Sequence, residues 1–252
     1  MEVSSLIDAL REQGGLTTAA AQATPLDTPV PTCPGWTVSD LLRHTGGVHR
    51  WAATIVGEAR PEPISLDQPH EIDPDLPGEE GLVDWYAAGH AALVAALSTA
   101  PADLDCWAFM RTAPSPAAFW ARRQAHEATI HRIDAESAAG HRSTIGADLA
   151  ADGIDELLTG FLPRNRKLRA EADTTLLVLA TDVDRKWLVR IGSERPQAAP
   201  ARPGEVADAT VSGPAETVYL ALWNRSPLTE VTTTGDTGLL DLWVDKVQVR
   251  WS

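Results

Sequence analysis

The stretch RRQAHEATIHRIDAE, residues 122–136, gathers histidines and carboxylates within a helical span. It is not the HExxH metalloprotease motif, because His126 and His131 are five positions apart rather than four. At about 100° per residue they diverge by roughly 140° around a helix and cannot easily grip one ion. Glu127 and His131, four apart, share a face and can. Alone, they read equally as an exposed Glu–His pair worth roughly 0.2–0.5 kcal/mol. His44 sits in a second helical stretch, LLRHTGGVHRW, on a stripe with Leu41, Val48 and Trp51. A lone histidine there also reads as a core imidazole satisfied by a hydrogen bond. Together His44, Glu127 and His131 offer imidazole nitrogen and carboxylate oxygen to a borderline-soft divalent ion. Structural zinc sites are usually closed by four ligands, so a His2Glu set leaves a position for chemistry. Asp134, nearly one turn beyond His131, could orient its imidazole or be a surface acid.

The elements that must position these residues can be read from periodicity and punctuation. A first helix is predicted over about Ser4–Ala21, ending in the proline-rich TPLDTPVPTCPGW. A second starts at Thr37 as N-cap, with Asp40 three residues on in an approximate capping box. An acidic, proline-bearing loop from about Glu58 to Pro77 follows, then helices over Glu79–Ser98, Ser115–Ala139 (ended by Gly140) and Asp148–Phe161. These suggest a four-helix bundle. After Pro163 the pattern changes. TTLLVLATD and KWLVRIG, split by DVDR, predict a hairpin, and ADATVSG and TEVTTTG predict further strands. PAETVYLALW, with Pro214 in its first turn, and LLDLWVDKV predict helices. The expectation is an α+β protein with a helical domain over 1–165 and a small α+β domain over 166–252.

Composition narrows the chemistry. With 35 acidic residues against 21 basic and a formal charge of −14, a nucleic-acid surface is not expected. No apolar run is long enough to span a bilayer, and residues 1–20 do not read as a signal peptide. Two distant cysteines, Cys33 and Cys106, give no disulfide framework, so a reducing, cytoplasmic setting is expected. Cys33 precedes Pro34 with no base nearby and is not expected to be a nucleophile. Nine tryptophans, Trp36, Trp51, Trp107 and Trp120 among them, suit an aromatic-lined small-molecule pocket. They suit ordinary core as well. Gly46-Gly47, inside a helix, predicts close packing against a neighbour.

The segments CPGWTVSDLLRHTGGVHRW and RRQAHEATIHRIDAE, with DGIDELLTGFLPR, the hairpin and the closing GDTGLLDLWVDKV, resemble the mycothiol-dependent maleylpyruvate isomerase family of DinB-like metalloenzymes. The resemblance covers most of the chain. It implies an N-terminal DinB-like four-helix bundle carrying a His…Glu-x-x-x-His metal triad, matched here by His44, Glu127 and His131. The ligand histidine follows the Gly-Trp pair by eight residues, as His44 follows Trp36. It also implies a small α+β, sterol-carrier-like C-terminal domain that closes over the metal and contributes a basic residue. Arg225, in LWNRSP, is the candidate catalytic residue for that role, or else a cap on the preceding helix.

The implied cofactors are a divalent metal, zinc foremost, and a low-molecular-weight thiol, mycothiol or similar. Zinc lowers the pKa of a bound thiol and presents a thiolate at neutral pH. The implied partners are that thiol and a small electrophilic substrate. The implied activity is cis–trans isomerisation or S-transfer. A thiol-independent hydrolytic or tailoring enzyme, or a metal-binding regulatory module, are the alternatives.

Overall fold

The computed structural model describes residues 1–64, 76–110, 113–142 and 144–248. The chain packs as two units, Met1–Ser143 and Thr144–Ser252. The boundary expected from sequence, 165/166, falls later in the chain; the helix following Gly146 goes with the second unit because it packs against a helix there. The acidic segment expected as a loop lies partly outside the described residues.

The first unit holds α1 (Val3–Gln22), α2 (Val38–Gly57), α3 (Leu82–Thr99) and α4 (Pro116–Ala138). α1 packs on α4 and α3, and α2 on α3 and α4, giving the expected four-helix bundle. Three of the helices supply apolar stripes: Leu6 and Leu10 from α1, Leu41, Leu42 and Ile55 from α2, Leu82 and Leu93 from α3 are all buried. The predicted starts hold. Thr37 caps α2 with Asp40 in a reciprocal capping box, and Ser115 caps α4 by accepting from the Ala118 N–H. Gly140, at φ +72°, takes the left-handed turn that ends α4. Of the Gly46-Gly47 pair only Gly46 is needed for close packing. A Cβ there would meet the Trp85 ring, whereas one on Gly47 would meet nothing.

α4 departs from the amphipathic rule. From Arg123 to Ala135 every residue is buried, including Arg123, Gln124, His126, Glu127, His131, Arg132 and Asp134. Burying a charge costs several kcal/mol unless it is paired (of order 3–5 kcal/mol when one partner is lost). A run of this kind is tolerated only where those groups have partners or ligands.

The second unit begins with α5 (Ala147–Glu156), which runs into a π-helical turn, Leu157–Phe161, and a short 3-10 turn. The sheet comprises β1 (Thr174–Ala180), β2 (Arg185–Ile191), β3 (Gln197–Pro200), β4 (Ala209–Gly213) and β5 (Thr232–Gly235), in the order β3-β2-β1-β4-β5. β1 pairs antiparallel with β2, Leu176 opposite Val189, and parallel with β4, Leu176 beside Ala209. Leu176, Val178, Trp187, Val189 and Val211 are buried. Two helices complete the unit: α6 (Ala215–Leu222), which packs on α5, β1 and β4, and α7 (Thr237–Lys246). The class is α+β, as expected, and β3 is a strand the sequence did not announce.

Candidate metal centre

α2 and α4 face each other in the bundle, and each brings its histidine to the contact. The Nε2 of His131 lies 3.2 Å from Glu127 Oε1, and the Nε2 of His44 lies 3.6 Å from the same oxygen. The three ligand atoms all fall within 4.8 Å of one another, a grouping that a single ion can bridge. His126, on the same helix, is no part of it, as the angular argument requires.

The protonation pattern suits a cation. His131 Nδ1 lies 2.9 Å from Asp134 Oδ2, and Asp134 is fully buried. With Nδ1–H donating to that carboxylate, the lone pair of Nε2 points to the cleft. Thr32, on the loop before α2, donates its hydroxyl to Asp134 Oδ1 at 2.6 Å and so fixes the other oxygen. Asp134 is therefore an orienting group rather than a surface acid. Glu127 is buried and splits its oxygens. Oε2 accepts from Arg123 Nη2 at 3.0 Å, while Oε1 is buried without a hydrogen bond. A buried carboxylate oxygen set between two imidazole nitrogens fits a divalent metal.

Electrostatics agree. Burial pushes the Glu127 carboxyl up, but the adjoining His131, His44 and Arg123 hold it well below its ordinary range. Burial pulls the His131 imidazole down, yet Asp134 and Glu127 push it up to about 9. Without an ion, the cluster gathers a proton to stand in for one positive charge.

Trp36 forms a wall. Its ring lies 5.0 Å from His44, edge to face, and 6.4 Å from His131, nearly parallel. Trp51, Trp107, Phe109 and Trp120 pack on one another as an aromatic cluster, with the Trp120 indole N–H donating to the Trp107 carbonyl. Cys33 packs with the apolar residues near Val30 and Trp36.

Arg225 belongs to the second unit. It follows Asn224, which takes a left-handed conformation (φ +56°) just past α6, and its Nη1 donates to the Trp223 carbonyl at 3.1 Å. That contact is of the helix-capping kind. Two residues escaped the sequence reading. Arg123 could have been found, since it stands one turn before Glu127. Thr32 meets Asp134 only through the fold.

Two family models match the chain. One, described as the mycothiol maleylpyruvate isomerase N-terminal domain, matches residues 7–136; the other, the MDMPI C-terminal domain, matches residues 148–242. Among solved structures, a crystal structure of the mycothiol-dependent maleylpyruvate isomerase aligns with a TM-score of 0.64. That of its histidine-to-alanine mutant aligns at 0.65; in both cases the identity is 15% and 93% of each chain is covered. At that identity the likeness is one of fold. No curated protein matches the chain in sequence. With both of its units matched in order by the family models, the chain belongs to the mycothiol maleylpyruvate isomerase family.

Proposed function

We propose that the protein is a metal- and thiol-dependent enzyme that isomerises a small electrophilic alkene about its double bond. The observation that carries this reading is the buried Glu127 Oε1 facing the Nε2 atoms of two histidines, in a chain of this family. His44, Glu127 and His131 would hold a divalent ion, zinc by the chemistry of the donor set. When bound, such an ion supplies the Lewis acidity that keeps a small thiol deprotonated at neutral pH.

The protein's own residues do the positioning. Asp134, itself fixed by the Thr32 hydroxyl, engages Nδ1 of His131, so that Nε2 is the nitrogen turned to Glu127 and His44. Trp36 holds both imidazole planes and gives an unsaturated substrate an apolar surface. Arg225 is assigned to a carboxylate of the substrate, whose bidentate recognition is natural to a guanidinium. Reversible addition of the thiol to the alkene, rotation about the resulting single bond and departure of the thiol return it unchanged. Mycothiol or a close relative is the thiol proposed, in a cytoplasmic setting. If the adduct persists instead, the outcome is S-transfer.

The test is elemental analysis of untagged, chelator-free protein beside His44→Ala. The parent is expected to carry about one equivalent of metal and the variant essentially none. Incubation of the loaded parent with a cis-alkene dicarboxylate should then give turnover that requires added thiol. Absence of metal after zinc incubation would remove the reading. Turnover without thiol would move the assignment to a thiol-independent, metal-dependent enzyme.

A further inference from the structure

Arg123 lies inside the bundle, 1% exposed, one helical turn before Glu127. A guanidinium is rarely buried so completely, because desolvation must be offset by a partner of opposite charge. Its Nη2 donates to Glu127 Oε2 at 3.0 Å, a contact between two buried groups on one helix face. The same carboxylate shows its second oxygen, Oε1, to His44 and His131. One oxygen is thus held by an arginine and the other faces the cleft.

That division has a consequence for coordination. A free carboxylate beside a divalent ion can bind through one oxygen or through both. The two modes differ by one in the number of positions left for an outside ligand. Rotation of the Glu127 carboxylate to present both oxygens would draw Oε2 off Arg123 and give up a charge-assisted hydrogen bond between two buried groups. Its positive charge also offsets that of Glu127, so the ion would sit in a less anionic donor set.

Resting on the metal-centre reading above, we infer that Arg123 is a positioning residue. By occupying Oε2 it restricts Glu127 to one-oxygen ligation and keeps a coordination position open for the thiol. The substitutions Arg123→Met and Arg123→Gln remove the charge and the reach while retaining volume or polarity, so the folding of either suffices.

The experiment loads parent and variants with cobalt(II) and reads the visible ligand-field band, whose intensity falls as coordination number rises. Cobalt stoichiometry should stay near one in all of them. In the variants the band should weaken by about twofold or more as Glu127 turns both oxygens inward. N-acetylcysteine, titrated as the probe thiol and followed by its sulfur-to-cobalt charge-transfer band, should bind at least roughly tenfold more weakly. A folded, cobalt-loaded variant with the parent's band and thiol affinity overturns the inference and leaves the metal centre standing. A parent that takes up no cobalt fails the metal centre itself. X-ray absorption at the zinc edge of the loaded parent needs no variant: two carboxylate oxygens in the first shell would overturn the inference, and one supports it.

Discussion

At the scale of single residues, the centre is a relay of fixed partners running from Thr32 through Asp134 to His131. Removing Asp134 should matter more than its distance from any ligand atom suggests. Asp134→Ala frees the imidazole to rotate and to take the wrong tautomer. Apparent metal affinity should fall roughly 10–100-fold, measured by competition with a chromophoric chelator. Asp134→Asn, which keeps an acceptor oxygen for Nδ1–H, should recover part of that loss. The titration of the cluster gives a second expectation. In the metal-free protein His131 is raised from its ordinary 6.5 to about 9, so its contribution to stability is complete below 6.5 and disappears as pH rises through 9. Glu127 is depressed below its ordinary 4.5, so its contribution is present above that value and is lost as pH falls through its lowered folded value. Urea unfolding of metal-free protein should therefore show this cluster at its most stabilising between about pH 4.5 and 6.5. Metal uptake must displace the proton on His131, so apparent affinity should climb about tenfold per pH unit between pH 7 and 9. A flat affinity profile over that range would mean that His131 is not protonated in the metal-free protein. The Glu127–His131 pair was legible because the two are four apart on one helix, whereas His44, far away in sequence, was joined to them through the family resemblance. The wall formed by Trp36 was not legible, since it depends on how the proline-rich turn folds back onto α4.

At the scale of elements, what could be read was what chain-local chemistry decides. The capping box at Thr37, Ser115 at the head of α4, and the alternation of β1 and β2 all depend on residues within a few positions of one another. β3 was missed for a physical reason. Gln197–Pro200 has no β-branched or aromatic residue, ends in proline and is mostly exposed, so only its pairing at the edge with β2 makes it a strand. The burial of α4 was equally hidden, since its polar composition argues for a solvated helix. The glycine pair in α2 shows what the structure adds. Gly46 faces the Trp85 ring of α3, while Gly47 faces open space. Gly46→Ala should cost about 1–3 kcal/mol in chemical unfolding, because the Trp85 ring that the Cβ would meet is also held by the Arg50 guanidinium, 3.9 Å from its centroid. Gly47→Ala should stabilise by up to about 1 kcal/mol, the helix-propensity gain alone. Equal effects at the two positions would contradict the packing of α2 on α3.

At the scale of the whole molecule, the donor set and the proposed catalytic cation fall in different units. His44, Glu127, His131, Asp134, Thr32 and Arg123 all lie within Met1–Ser143, and Arg225 lies within Thr144–Ser252. The two jobs should therefore separate under mutation. If Arg225 holds a substrate carboxylate, Arg225→Ala should keep about one equivalent of metal and the parent's affinity for N-acetylcysteine, yet lose roughly 10²–10³-fold in turnover. Arg225→Lys keeps the charge without the bidentate fork and should fall between them. If Arg225 only caps α6 through the Trp223 carbonyl, alanine should lower the unfolding temperature by a few degrees and leave turnover per folded molecule unchanged, with lysine equivalent to the parent. The metal stoichiometry and thiol affinity separate both cases from damage to the metal centre, because the residues that would hold the ion all lie in the first unit. A loss of metal in Arg225→Ala would contradict the division of labour between the units.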